Sequence, residues 1–366
     1  MTFNKQQEIR ELCLLASRAG KDAIREIQEL KLKAQIDNIY ECLKQKSKGF
    51  YSLASLEAAQ KSIQDWQNLK LELITIFDNN YPKQLLEIAD PPILLFAKGK
   101  TSFPVKLPKM VSIVGARNSS AEGVEFAIHL AEDLSKLDIC VVSGLALGID
   151  SHAHKGALQT ENILPTIAVL GGGLEKIYPA TNYHLAQNII DQGGFLLSQF
   201  EPGAKIFRSN FLNRNRLIAG LSLGTVVVQA AKRSGSLATA RYAAEAGREV
   251  FAVPGFPGYK LHQGTNKLIQ QGAKLVTCVE DVLEELSLEL SIEESFPISL
   301  EAGEHKLLQF ISEKGQVSIE DMLEGFSTIN EILNLLFLLE EKKLITQDSM
   351  NNYQLSLRAK QNLHRF

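Results

Sequence analysis

Cysteine, tryptophan and proline are scarce in this chain of 366 residues, which holds four, one and eleven of them. Cys13, Cys42, Cys140 and Cys278 lie far apart with no C-x-x-C pair, which excludes a disulfide framework and a zinc knuckle. Few prolines beside 45% hydrophobic residues exclude a chain that is disordered in bulk. No apolar run approaches the roughly 20 residues that cross a bilayer. The longest, such as Ile93–Ala97 and Thr225–Val228, are of strand length, so no membrane role is expected. The first residues, Met1-Thr-Phe-Asn-Lys-Gln-Gln-Glu, put charge where a signal peptide needs apolar residues. The expected compartment is the cytoplasm.

Strong net charge is also missing, at −3, but the average hides a division along the chain. Residues 281–304 carry eight acidic side chains and no basic one. From Pro202 to Ala244 the chain holds Lys205, Arg208, Arg214, Arg216, Lys232, Arg233 and Arg241 without one Asp or Glu. That cationic stretch is either a solvated face or a seat for an anionic partner.

What the chain has in quantity is order of a recognisable kind. Asn4 to about Lys33 is helix-compatible, with Ile9, Leu12, Leu15 and Ala16 on one face, and Ser55 can cap a further helix to about Leu69. Residues 1–70 are therefore expected as a small helical domain. Leu73–Phe77 and Ile93–Phe96 read as strands leading into the next domain, and Thr101–Pro108, with two prolines, as a boundary. Then Met110–Val114, Ile139–Val142, Thr166–Leu170, Phe195–Leu197, Thr225–Val228 and Glu249–Val253 recur as short apolar runs between helix-length segments. Such alternation predicts an α/β fold, a Rossmann-like doubly wound and mostly parallel sheet, over residues 71–280 with the lead-in. Its ligands belong at the carboxyl ends of the strands. Residues 281–304 read as a helix end and an acidic linker. In residues 305–366, three helices (His305–Ser312, Ser318–Leu323, Thr328–Lys342) and a hairpin of Leu344–Gln347 with Tyr353–Leu355 suggest a winged helix.

The strongest local feature is Val142-Ser-Gly-Leu-Ala-Leu-Gly-Ile-Asp150-Ser-His-Ala-His154, a strand, a glycine loop and a helix. Ser143, Gly144 and Gly148 would let backbone amides approach phosphate at a helix start. Neither G-x-x-x-x-G-K-[ST] nor G-x-G-x-x-G is present, so no nucleotide cofactor is expected. Ser234-Gly235-Ser236, with Thr239 one turn on, offers a second anion seat or an ordinary helix cap. His152 and His154 are two apart, do not share a helical face and lack further ligands, so no metal is expected. Asp150 reads as a cap rather than a general base.

Arg208-Ser-Asn-Phe-Leu-Asn-Arg-Asn-Arg216 gathers three guanidinium groups, three amides and a ring within nine residues. Arginine forks suit phosphate, and Phe211 can stack on an unpaired base. Equally, Arg214 and Arg216 can pair with acids while Phe211 joins the core.

With these residues in place, the chain resembles the DNA-processing protein A family (DprA, also called Smf). The resemblance rests on Tyr81-Pro82, Asp90-Pro91-Pro92, Lys98-Gly99, Val114-Gly115-Ala116-Arg117, Ser143 to Asp150, Ala153-His154 and Tyr178-Pro179. It continues through Phe211, Arg214-Asn215-Arg216, Ser234 to Leu237, Thr239-Ala240, Gly247-Arg248 and Pro254-Gly255. It implies a non-enzymatic protein that binds and protects single-stranded DNA during natural transformation, loads the RecA recombinase onto it, and dimerises. Single-strand-binding protein is a further implied partner. Arg117, Arg208 and Phe211 match the family's DNA-contacting positions. With the residues read above, the expected DNA-binding set is Arg117, Ser143, Gly144, Gly148, Arg208, Phe211, Arg214, Asn215, Arg216, Ser234, Gly235, Ser236 and Thr239. Two departures stand out: Gln199 and Gln229 occupy places where the family commonly has glutamate, which lowers phosphate repulsion but removes carboxylates that can orient an arginine.

An enzyme of similar fold is the rival reading. Phosphoribohydrolases carry paired glutamates after P-G-G-x-G-T, and this chain has Arg241 and Tyr242 there.

Overall fold

The computed structural model describes residues 3–33, 53–288 and 300–355, except 324, 327, 343 and 348–351. Cys42, the middle of the acidic linker and the turn expected at Asp348–Asn352, save Asn352, lie outside the described residues. The described chain divides into two compact units, Met1–Leu290 and Ser291–Phe366.

In the first unit a nine-stranded sheet is built from β1 (Glu72–Thr75), β2 (Leu94–Lys98), β3 (Met110–Val114), β4 (Cys140–Ser143), β5 (Thr166–Val169), β6 (Phe195–Ser198), β7 (Gly224–Val227), β8 (Glu249–Ala252) and β9 (Lys274–Leu275). The spatial order is β1-β2-β6-β5-β4-β3-β7-β8-β9. From β6 to β9 every pairing is parallel, whereas β2 meets β6 and β1 in antiparallel register. The parallel strands are apolar because both faces are covered: Met110 to Val114 is buried at every position. Val111 and Ile113 face one core with Leu130, Leu134 and Ala153. Met110 and Val114 face the other with Leu217, Ile218 and Leu221. Polar strand residues are satisfied inside, as where Ser112 and Thr225 share a hydroxyl hydrogen bond of 2.7 Å.

Helices connect these strands: α4 (Ala121–Lys136), α5 (Ile149–Ala157), α6 (Tyr183–Asp191), α7 (Arg208–Leu221), α8 (Ser236–Glu245), α9 (Gln263–Gln270) and α10 (Val279–Glu285), after α1 (Phe3–Ala19), α2 (Lys21–Lys33) and α3 (Leu53–Asn68). The chain runs outward from β3 to β6 and returns through α7 to β7 on the other side of β3. This reversal opens a crevice at the carboxyl ends of β3 and β7.

Four local expectations are corrected. The first helix is two, broken at Gly20, whose φ of 113° ends α1. Ser55 lies inside α3 rather than at its cap. The residues expected as a separate helical domain share a core with the antiparallel edge, where Trp66 meets Phe96 edge-on at 5.0 Å. Asp281 starts no linker: it closes a capping box with Cys278 at the head of α10.

The second unit has α11 (Ala302–Lys314), β10 (Gln316–Val317), α12 (Ile319–Met322), α13 (Ile329–Glu341), β11 (Ile345–Gln347) and β12 (Tyr353–Leu355). Its sheet has three strands in the order β10-β12-β11, one more than the hairpin expected, because Gln316 and Val317 pair with β12. Ile332, Leu336 and Leu339 of α13 enter its core, while Ile329, Leu333 and Phe337 stay exposed.

Candidate nucleic-acid interface

The loops at the carboxyl ends of β3, β4, β5 and β6 meet over the crevice. Arg117, after β3, is exposed, and its guanidinium lies 5.5 Å from the centroid of the Phe211 ring. Tyr178, after β5, packs against that ring with 5.5 Å between centroids, tilted by 53°, and is half exposed. Phe211 sits in the first turn of α7, preceded by exposed Lys205, Ile206, Phe207 and Arg208. A cation, two rings and a basic helix start therefore share one surface, a combination that suits phosphate and an unstacked base. Tyr178 and Phe207 were not among the expected site residues. The signal available was position, since each follows a strand end within a loop rather than an apolar repeat.

The glycine loop is held from below. Gly148 has φ 76°, and a Cβ there would strike the carbonyls of Ala116 and Arg117, so the β3 and β4 loops touch only because it lacks a side chain. His154 is fully buried, its Nδ1–H donating to Thr166 Oγ1 at 2.7 Å while Nε2 accepts the Leu145 amide at 3.3 Å. Burial, then the nearby Arg214 charge, pushes its pKa down to about 3, so the ring is neutral. His152 donates to the Gly148 carbonyl at 2.8 Å. Asp150 caps nothing: Gly148 holds the N-cap of α5, and the buried Asp150 carboxylate binds backbone of Ala146 and Gly115, tying the two loops together. Burial pushes its pKa up against the pull of Arg214.

Several of the expected contact residues are buried beneath the loops and bonded within the fold. Arg214 is 3% exposed and donates to the carbonyls of Gly144 and Val169, with burial pulling its pKa down to about 10. Ser143 is buried and donates to the Ile113 carbonyl at 2.6 Å. Asn215 bridges Arg214 Nε and the Gly235 carbonyl, at 3.2 and 3.3 Å. Gly144 and Thr239 are buried. Ser234 and Ser236 spend a hydroxyl hydrogen bond on each other at 2.7 Å, and the Leu237 and Ala238 amides are taken by Ser234 and Gly235, so this turn is closed on itself. The expected set thus divides, with Arg117, Arg208, Phe211, Gly148, Ser234 and Gly235 reaching solvent, and Ser143, Gly144, Arg214, Asn215, Ser236 and Thr239 beneath them. Arg216 lies between, largely covered.

The model of the DNA recombination-mediator protein A family matches residues 72–287, which contain this entire crevice. The chain belongs to that family. It is 44% identical over 216 residues to the DNA processing protein DprA of Streptococcus pneumoniae, covering 59% of this chain and 74% of that protein. Protein Smf of Escherichia coli is 45% identical over 210 residues, 57% of this chain and 55% of that one, so the chain spans about half the length of this relative. The X-ray structure of the S. pneumoniae protein superposes with a TM-score of 0.59 at 35% identity, over 75% of this chain and 97% of that one. DNA processing protein A of Helicobacter pylori, a structure described for its single-stranded DNA binding mode, superposes with a TM-score of 0.53 at 30% identity, over 60% of this chain and 96% of its own.

Against that family background the two glutamines have definite tasks. Gln199 Oε1 accepts from Arg216 Nη2 at 2.6 Å, and Arg216 also donates to the Asp90 carbonyl. A neutral amide therefore holds the arginine that a missing carboxylate was expected to release. Gln229 is buried, accepts the Ser120 amide at 3.0 Å and donates to Ser120 Oγ at 2.8 Å. It fixes the head of α4 and with it the loop that carries Arg117.

Among the described residues no group of three or more metal-ligating side chains occurs, and no helix is long and apolar enough to cross a membrane.

Proposed function

We propose that this chain binds single-stranded DNA across the carboxyl edge of its parallel sheet and mediates recombination by delivering that strand to the RecA recombinase. The observation that carries the reading is the exposed Arg117 guanidinium over the Phe211 ring, flanked by Tyr178. Phosphate goes to the arginines and the base to the rings, a division that gives affinity with little base preference. Family membership and the single-stranded DNA binding described for the H. pylori relative support it. Incoming DNA of natural transformation is the substrate the reading assigns, in the cytoplasm, with the protein acting as a homodimer and meeting single-strand-binding protein on the same strand. The second unit is read as a winged helix.

No catalytic step is assigned. Arg241 and Tyr242 replace the paired glutamates of a phosphoribohydrolase, and Arg241 is engaged with Glu245 at 3.5 Å. Asp150, the acid beside the glycine loop, is buried and committed to backbone.

An electrophoretic shift comparison of single and double strands tests the reading. Preferential single-strand binding is expected, and equal or stronger duplex binding overturns it. Release of free base from a nucleoside monophosphate would instead favour the enzyme.

A further inference from the structure

Phe256 and Tyr259 are 71% and 65% exposed, on the connection from β8 to α9, and their rings touch at 5.8 Å between centroids. Two large rings in water on a loop need a reason, because apolar side chains of this size ordinarily enter a core. The loop is not loose. Gly255 and Asn266 exchange two hydrogen bonds of 3.2 and 2.8 Å, Tyr259 N–H donates to the Phe256 carbonyl at 3.1 Å, and Ala230 N–H donates to the Leu261 carbonyl at 2.6 Å. The rings are thus presented by a fixed backbone.

Their surroundings are cationic. Lys232 and Arg233, on the β7 connection bonded to this loop, and Lys260 are all exposed. From Val250 to Val279 and from Gln229 to Ala244 the chain contains no Asp or Glu. One acid approaches from α4, Glu122, whose carboxylate feels His262. Both features lie at the same carboxyl edge as the Arg117 and Phe211 cluster, since β3, β7 and β8 are adjacent parallel strands. Two strand spacings, about 10 Å, separate the β3 and β8 ends.

We propose that Phe256 and Tyr259 form a second base-stacking platform, with Lys232, Arg233 and Lys260 as its phosphate contacts, so that one DNA strand runs from the Arg117 pocket past Ser234 to these rings. The proposal rests on the single-strand reading above. Charge complementarity selects the occupant: flat rings beside Lys232, Arg233 and Lys260, with the acid Glu122 nearby, suit successive bases and their phosphates.

The test uses the full chain and fluorescence anisotropy with oligo(dT) of about 6 and about 20 nucleotides, lengths that bracket one short site and an extended one. In F256A/Y259A the long oligonucleotide should bind about tenfold more weakly and the short one unchanged, the scale of one lost stacking contact. Abasic sugars at one end of the long oligonucleotide should reproduce the loss in the original protein and add nothing in the variant. F256Y/Y259F, which keeps both rings, should bind as the original. Unchanged long-oligonucleotide affinity in F256A/Y259A, while R117A weakens both lengths, overturns the platform and leaves the central pocket standing. Equal losses on both lengths overturn it too, as does a change of oligomeric mass with DNA affinity intact, which would mark the rings as a protein contact. Failure of the original protein to bind either length defeats the parent reading itself.

Discussion

Arg214 Nη1 donates to the Gly144 carbonyl at 2.6 Å, and the same nitrogen reaches the Val169 carbonyl. One guanidinium thus closes the ends of two neighbouring strands, β4 and β5, under the loop that a DNA strand would cross. A Cβ at Gly144 would collide with it, so the glycine is there for the arginine as much as for any ligand. The charge is compensated by Asp150, which itself gathers the β3 and β4 loops. Arg117, exposed above, is presented by loops that this buried pair holds together.

Arg214→Ala is therefore expected to act first on the fold. It leaves two buried carbonyls without this donor and removes the positive charge that the buried Asp150 carboxylate feels, a loss of about 1–3 kcal/mol for each group left unsatisfied. Urea denaturation should show a lower midpoint, and Arg214→Lys, which keeps the charge but not the fork, should recover part of it. An unchanged midpoint with lost DNA affinity would make Arg214 a ligand instead.

Arg117→Ala should do the reverse. The side chain is exposed, so the stability read from denaturation should change by less than about 0.5 kcal/mol. Single-strand affinity should fall for every base composition, and the slope of log K against log salt should flatten by about 0.7, the value for one phosphate contact to a single strand. Anisotropy titrations at several salt concentrations measure both. A loss confined to one sequence, or an unaltered slope, would contradict a phosphate role.

His154 gives the first unit an acid limit. Its folded pKa, about 3, lies below that of an unfolded histidine, so between these values the unfolded chain binds one more proton. This stability is fully present above about pH 6.5 and declines as pH falls, by about 1.4 kcal/mol per unit towards pH 3. His154→Gln should lower stability at pH 8 yet flatten the pH dependence by one proton, read from denaturation midpoints between pH 4 and 8. An equally steep profile in the variant would assign the acid sensitivity to other groups.

The strands were legible because parallel strands buried on both faces leave continuous apolar runs: Met110–Val114 is the same segment in sequence and structure. The reversal at β3 and β7 was not legible, since strand order depends on which helices cover which face. The arginines show the same divide. Their type pointed to phosphate, but Arg214 lies three and four places before Leu217 and Ile218, the buried face of α7, whereas Arg208 precedes the helix body and stays in water. Helical spacing from that apolar pair was the available signal, and the attraction of a three-arginine cluster masked it. Phe256 and Tyr259 carry no such signal in the sequence, because rings ordinarily enter a core and only the fold leaves these two outside it.

The last expectation concerns the second unit. Its third helix, α13, is the one a winged helix offers to a DNA groove. Its exposed surface carries Ile329, Leu333 and Phe337 beside Glu331 and Glu340, a poor match for phosphate. Lys342, the cation at its end, is bound to buried Glu304 at 2.6 and 2.7 Å and so serves the unit's own core. The carboxylates of residues 281–304, apart from Asp281 in its capping box, Glu284 and Glu285 beside Lys274 and Glu304 beside Lys342, add repulsion rather than guidance. Meanwhile every exposed cation and ring of the proposed strand path lies before Leu290, inside a unit with its own sheet and two cores. A chain ending near Leu290 should therefore fold, unfold cooperatively, and keep most of its single-strand affinity, losing only contacts that the second unit makes with duplex DNA or a protein. Binding isotherms of the truncated and full chains at matched salt decide the matter. A loss beyond about tenfold, ~1.4 kcal/mol, would locate a major single-strand site after Leu290 and remove the carboxyl edge of the sheet as the principal one.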